Sequence, residues 1–231
     1  MKKILISLLT AAVVFSAVSC TGKVSEKNNA EEAKKVAEEF LDDYSEFKLD
    51  DAAKLFDGEI DLGLFSGVNS KDEFTKAYSK NLKPTAKQKS QGITEEFVVE
   101  QCGKITDMMD IKCEITDAKE TDDNTVEVTF EAKLTKPDFN LISKNNYAEK
   151  AAKEVGFDNN LTADDADEKM GEVYKKSFEL MIEDLEESVE EKTADGVIVL
   201  KQDGDKWVID KNDSKIDGKR FEQRLKSVKD Y

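Results

Sequence analysis

The side chains with the most reactive chemistry in this chain are three thiols, those of Cys20, Cys102 and Cys113. Histidine is absent from the sequence, which excludes Ser-His-Asp and Cys-His catalysis and zinc sites built from histidine and cysteine. The sequence also has no Cys-x-x-Cys redox pair and no glycine-rich turn typical of nucleotide binding. Acid–base catalysis would therefore depend on carboxylates, and 51 Asp and Glu residues make the choice of any pair arbitrary.

Cys20 stands directly behind a segment with the composition of a secretory signal. Lys2 and Lys3 are followed by an apolar run over residues 4–18, about 15 residues long, which is shorter than the roughly 20 needed to span a bilayer. Residues 17–20, Ala-Val-Ser-Cys, resemble a lipobox, the signal for lipid attachment to a cysteine thiol. We therefore expect a signal peptide over 1–19, lipid on Cys20, and an extracytoplasmic protein anchored to the outer face of the cell membrane. The alternative is an ordinary secretory signal that ends in a cysteine by chance.

The other two thiols, Cys102 and Cys113, are 11 positions apart. In an oxidising compartment this pair could form one disulfide, but the spacing also suits two free buried thiols. The sequence leaves both possibilities open.

The charge of the chain argues against nucleic acid as a partner. The formal net charge is −16, and removal of residues 1–19 takes away two lysines and no acid, which gives −18. Such a charge repels nucleic acid and anionic lipid headgroups, because phosphate binding requires clustered Lys and Arg. The abundant Glu, Asp and Lys favour a well-solvated surface over a specific acidic binding face.

Two acidic stretches, 158–164 and 213–218, place oxygen side chains close together, as calcium sites do. Neither fits an EF-hand, since Lys169 or Arg224 stands where the bidentate Glu belongs. A helix cap and a polar tail explain these stretches more simply, so we expect no metal and no cofactor. Trp207 and Tyr78 could line a ligand pocket, although a lone Trp in a closing hairpin favours a core position.

Period-3.6 patterns predict helices in the first half of the chain. Apolar residues recur at steps of three and four over residues 30–47, and a second short helix follows at 50–57. Ser70 and Glu73 have capping-box spacing ahead of a third helix, and a fourth is expected after Thr94. Residues 20–29 have no apolar period and are expected to be a lipidated tether.

The period then changes to two, which predicts antiparallel strands over 111–116 and 126–134 around a turn at 122–124. A helical insertion is expected over 138–193, with a long helix capped by Thr162 and continuous from 163 to 190. Residues 197–200 and 207–209 around Asp203-Gly204 predict a closing hairpin. We expect these elements to form one α+β domain over 30–212, followed by a polar C-terminal tail over 213–231.

Three segments resemble uncharacterised Gram-positive lipoproteins with a nuclear-transport-factor-2-like, or cystatin-like, domain. They are residues 37–44 and 49–56, AEEFLDDY and LDDAAKLF, and the closing KQDGDKWVID at 201–210. Together with 123–135 the similarity touches most of 30–210. The resemblance implies N-terminal helices packed on a curved antiparallel sheet, here with a helical insertion between strand pairs. It implies no catalytic residue.

From these observations we expect a membrane-anchored, non-catalytic binding or interaction module whose partner is an unknown protein or small ligand. A carboxylate-dependent cell-wall glycan hydrolase and a carrier of a small apolar ligand are the alternatives. A large pocket of converging charges would favour the hydrolase, and a closed apolar cavity the carrier. A filled core with a distinct surface patch would favour the interaction module.

Overall fold

The computed structural model describes residues 29–122, 124–157 and 162–225, which form an α+β fold. Helices come first, as the period-3.6 patterns predicted. They are α1 (Asn29–Ser45), α2 (Leu49–Ala53), a 3-10 turn (Gly63–Phe65), α3 (Lys71–Ser79), a second 3-10 turn (Lys80–Leu82), α4 (Ala86–Ser90) and α5 (Glu95–Asp107).

Local capping explains where several helices begin. The Ser70 hydroxyl accepts a hydrogen bond from the Glu73 amide at 3.2 Å and thereby satisfies an amide that has no partner within the helix. The Glu73 carboxylate accepts from the amide of Asn69, one residue before the position that a capping box predicts. Thr94 and Thr162 accept in the same way at the starts of their helices.

The sheet is antiparallel throughout. In the described residues it contains β1 (Asp110–Asp122), β2 (Thr125–Lys136), β3 (Glu190–Asp203), β4 (Lys206–Ile209), β5 (Lys215–Ile216) and β6 (Lys219–Arg220). Its order is β1-β2-β3-β5-β6, and β4 pairs with the end of β3 beyond the segment that β5 occupies. The closing hairpin is confirmed, and Gly204 adopts the left-handed φ of 61° that its turn requires.

The helical insertion lies between β2 and β3 and consists of α6 (Asn140–Lys144), α7 (Tyr147–Val155) and α8 (Ala163–Glu187). It is shorter than the expected 138–193, because β3 begins at Glu190. The long helix likewise ends at Glu187, and Val189 is 40% exposed. Ser188 is the C-cap residue, and its hydroxyl donates to the Leu185 carbonyl in the last turn of this helix.

One face of β2 lies at the centre of the core. Five alternating residues of β2 are at most 6% exposed, as the period-2 pattern predicted: Val126, Val128, Phe130, Ala132 and Leu134. Phe130 pairs in register with Gly196 of β3 and covers it so closely that a Cβ there would lie 2.1 Å from the Phe130 ring. The glycine therefore provides the space for this ring.

Aromatic rings fill the space between α1 and the sheet. Phe221, in α9 (Phe221–Leu225), lies 4.7 Å from Phe40 and 6.0 Å from Phe130, ring centroid to ring centroid, and is fully buried. The stretch 213–225 was expected to belong to a polar tail, and this expectation is wrong. This stretch forms two short strands and a helix, and its Ile216 and Phe221 are buried in the core.

The apolar stripe of α8 packs within the molecule only in part. Val173, Ile182 and Leu185 are buried, whereas Met170 and Phe178 are half-buried. Ile182 and Leu185 pack with Ile105 of α5 and with Phe139 at the start of α6. The helix also approaches the loop after α4, since a Cβ on Gly171 would lie 2.1 Å from the Gln91 carbonyl oxygen. Close backbone contact thus fixes α8 against the N-terminal helices.

Candidate functional site

An open cleft of about 680 Å³ lies where β2 ends and β3 begins. We call it the α6 cleft, because α6 and the residues just before it form one wall, while the first 3-10 turn and the end of α3 form the other. It is lined by Leu64, Phe65, Tyr78, Asn81, Lys136, Pro137, Asp138, Phe139, Asn140, Ile142, Ser143, Glu190 and Lys192.

The apolar part of the cleft combines rigid and accessible side chains. Phe65 is 1% exposed and stacks on Phe74 with 4.8 Å between the ring centroids, which holds its ring in place. Leu64 and Phe139 are half-buried, and Ile142 is 39% exposed. An accessible isoleucine beside partly buried apolar groups offers an apolar surface to a ligand. Binding there is favourable because it removes this surface from water.

Asp138 organises the polar side of the cleft. Its carboxylate accepts hydrogen bonds from the backbone amide of Asn140 at 3.0 Å and from the Asn140 side-chain amide at 2.7 Å. These two bonds hold the pKa of Asp138 below its usual value. Its own backbone amide donates to the Ser188 hydroxyl at 3.0 Å, which ties the start of α6 to the end of α8.

Lys192 and Glu190 form an ion pair at the rim, with 2.6 Å between Nζ and Oε1. The hydrogen bond to Glu190 raises the pKa of Lys192 above its usual value, so the ammonium is charged at neutral pH. Both side chains are about half exposed, so this pair contributes little to the stability of the fold and its charges remain accessible at the rim.

Tyr78 lies between the cleft and a smaller apolar cluster that contains Cys102. Burial raises the pKa of the Tyr78 phenol, and the negative charge of a Cys102 thiolate would raise it further. Burial also raises the pKa of Cys102 to about 11. Both groups are therefore neutral at physiological pH, and neither has the lowered pKa of an activated nucleophile.

The structure describes Cys102 and Cys113 as free thiols. Cys102 is buried beside Ile93 and Val98, whereas Cys113 packs against the main core under α1. Burial raises the pKa of Cys113 to about 11, and a hydrogen bond with Ser45 opposes this shift. Of the two alternatives that the spacing left open, the structure has the free thiols.

The other candidate residues lie away from the cleft. Trp207 is 8% exposed and belongs to the main core, so of the two aromatic candidates only Tyr78 lines the cleft. Of the two acidic stretches, residues 158–161 lie outside the described residues, and 213–218 form a turn and β5. Within the described ranges, no group of three Cys, Asp or Glu side chains is arranged to hold a metal ion.

Cys20 and the signal segment also lie outside the described residues. Across 29–122, 124–157 and 162–225, no helix combines the length and apolar character needed to cross a bilayer. The lipid anchor is thus a prediction from the sequence.

Sequence patterns did not identify the α6 cleft. Phe139 and Ile142 have the three-residue spacing of a helix face, which is equally typical of a core position. A usable signal was Pro137 at the end of β2, because it forces the chain out of the sheet just before these apolar residues. Which wall they would face depends on α3 and the first 3-10 turn, more than 55 residues earlier in the chain.

Comparisons with known proteins assign neither family nor activity. No family model, no curated protein and no solved structure matches this chain. The likeness to nuclear-transport-factor-2-like lipoproteins therefore stays a prediction. The fold class that the structure supports is α+β, with N-terminal helices followed by an open antiparallel sheet.

Proposed function

We propose that this protein is a lipoprotein held on the outer face of the cell membrane by lipid on Cys20, where it acts as a non-catalytic binding module. The order of positive, apolar and small residues ahead of Cys20 supports the anchor. The helices ahead of the sheet and the insertion between β2 and β3 are compatible with a nuclear-transport-factor-2-like domain. We further propose that the sheet is curved, as in domains of that kind.

In this proposal the α6 cleft is the binding site. The main supporting observation is that aromatic side chains fill the interior of the domain. Phe40, Phe130 and Phe221 occupy the space between α1 and the sheet, where a domain of this kind would otherwise hold a ligand. The cleft instead opens at the end of the sheet and combines an apolar wall with a few fixed polar groups. Such a mixture is typical of sites that bind a partly apolar ligand in one orientation.

The two alternatives have less support. A carrier of a small apolar ligand requires an enclosed apolar cavity, and aromatic rings occupy the place where it would be expected. A glycan hydrolase requires two carboxyl groups, one of them with a raised pKa. Of the two carboxylates that line the α6 cleft, Asp138 has a lowered pKa and Glu190 is paired with Lys192. Binding without catalysis fits both observations.

Photo-crosslinking in intact cells tests the site. A photoreactive residue at position 142, in the cleft, should give a discrete adduct in the membrane fraction. The same residue at position 119, an exposed site on β1, is the control and should give none. Equal labelling at both positions, or release of reducing ends from cell-wall glycan that Asp138→Asn abolishes, would contradict the proposal.

The anchor is tested separately by Cys20→Ser. Two or three acyl chains hold a protein firmly, since each buried methylene contributes about 0.8 kcal/mol. The variant should leave the membrane fraction in a carbonate wash that retains the wild type. Full retention of Cys20→Ser would refute lipid attachment at this position.

A further inference from the structure

One surface of this acidic protein has the opposite charge. Residues 74–94 contain five lysines and no Asp or Glu, although acids make up 51 of the 231 residues in the whole chain. The lysines are Lys76, Lys80, Lys83, Lys87 and Lys89, and all five are exposed. We call this surface the lysine face. The negative net charge of the whole chain gives no indication of this local positive charge.

The end of α3 and the second 3-10 turn bring three of these lysines together. Lys76, Lys80 and Lys83 line a single depression of about 230 Å³ beside Pro84. Lys89 forms an ion pair with Glu95, at 2.6 Å, on the border of the same depression. In the described residues the other four lysines form no ion pair within 4 Å. The pKa of Glu95 is lowered mainly by its hydrogen bond with Lys89 and in part by the nearby charge of Lys83. The charges of Lys76, Lys80 and Lys87 are therefore the ones most available to an external anion.

An apolar side chain stands among these charges. Leu82 lies between Lys80 and Lys83 in the 3-10 turn and is 42% exposed, among the most exposed of the large apolar residues. A leucine flanked by lysines is the arrangement with which peripheral proteins enter the interface of an anionic bilayer, where the apolar group inserts and the ammonium groups meet phosphates.

We propose that the lysine face binds an anionic membrane surface. The charge complementarity is local, because at physiological salt charges more than about 8 Å apart are largely screened. Acids far from this face therefore do not cancel a contact made there, and Glu95 offsets only part of its positive charge. In the anchored protein the lysine face would orient the domain on the membrane. Binding to vesicles through this face does not depend on lipid at Cys20 or on the α6 cleft.

Vesicle flotation with the chain from Thr21 onward tests the proposal, because this form keeps every described residue and lacks the apolar signal. It should bind vesicles of phosphatidylcholine mixed with phosphatidylglycerol and leave pure phosphatidylcholine unbound. The triple variant K76Q/K80Q/K83Q should lose about 100-fold in partition coefficient, at about fivefold per lysine. The variant K119Q/K133Q/K206Q removes three exposed lysines elsewhere, and as a control of equal net charge it should bind like the wild type.

Three outcomes would overturn the proposal: no preference for anionic vesicles, equal losses in the two triple variants, or undiminished binding by K76Q/K80Q/K83Q. A further variant, Leu82→Ser, separates a membrane surface from soluble polyanions because it leaves the charge unchanged. It should weaken vesicle binding severalfold. Unchanged vesicle binding by Leu82→Ser would show that the lysine face binds polyanions in general, and it would contradict insertion of Leu82 into the membrane.

Discussion

Phe221→Ala tests whether the C-terminal segment belongs to the core. Phe221 is fully buried and its ring lies within 6.4 Å of the rings of Phe40, Tyr44, Phe56 and Phe130, centroid to centroid. Its removal leaves a cavity between α1 and the sheet that the other rings cannot close without leaving their own contacts. Such truncations cost about 3 to 5 kcal/mol, which is a large part of a typical stability of about 5 to 15 kcal/mol.

The expected loss converts to a fall in melting temperature of about 10 °C, since about 1 kcal/mol lowers the melting point of a domain of this size by 2 to 4 °C. Thermal unfolding followed by circular dichroism measures it directly. Gln223→Ala, on the exposed side of the same helix, is the matched control and should change the melting temperature by less than about 2 °C. If Phe221→Ala behaved like this control, residues 213–225 would be a tail after all.

Three further predictions concern the strands and the thiols. Gly196→Ala should destabilise the fold by about 1 to 3 kcal/mol, and Phe130→Leu in the same chain should recover part of that loss in denaturant melts, because the added methyl group would overlap the Phe130 ring. Burial raises the pKa of Asp210, but hydrogen bonds from Lys201 and from the amides of Asn212 and Asp213 outweigh it, so the net pKa is lowered. Asp210 therefore stabilises the fold above pH about 4 and loses this contribution as the pH falls through its lowered pKa. Asp210→Asn should lower the free energy of unfolding by about 2 kcal/mol at pH 7, and by progressively less in acid. Cys102, with its pKa raised to about 11, should resist alkylation at pH 7 until denaturant unfolds the chain, and rapid alkylation of the native protein would contradict its burial.

The elements that the sequence predicted well are those set by nearby residues. Hydroxyl caps at Ser70, Thr94 and Thr162 fix where three helices begin, because the bonds they form span only three residues. The alternation along β2 likewise survives in the structure, since one face is buried against helices. In contrast, the first four residues of β3 are polar and exposed, and pairing with β2 alone identifies them as a strand.

The C-terminal segment and the α6 cleft required tertiary information. Ile216 and Phe221 stand in a polar stretch with no period, and their burial results from contacts with α1 and β2, which are distant in the chain. Phe139 and Ile142 in the cleft are residue types that are typical of a core. Their exposure depends on the position of α6 relative to α3. The lysine face could be predicted from the local excess of lysine, but the negative net charge of the whole chain argued against binding to anionic surfaces.

Hydrogen exchange on the native membrane fraction, compared with the purified chain, tests binding at the α6 cleft most directly. Amides at 138–143 and 190–192 should exchange more slowly in the membrane sample, because a bound partner excludes water from the cleft. Amides in the middle of β1, away from the cleft, should exchange alike in both samples. Equal exchange in the two samples at 138–143 and 190–192 would contradict the assignment of this cleft as the binding site.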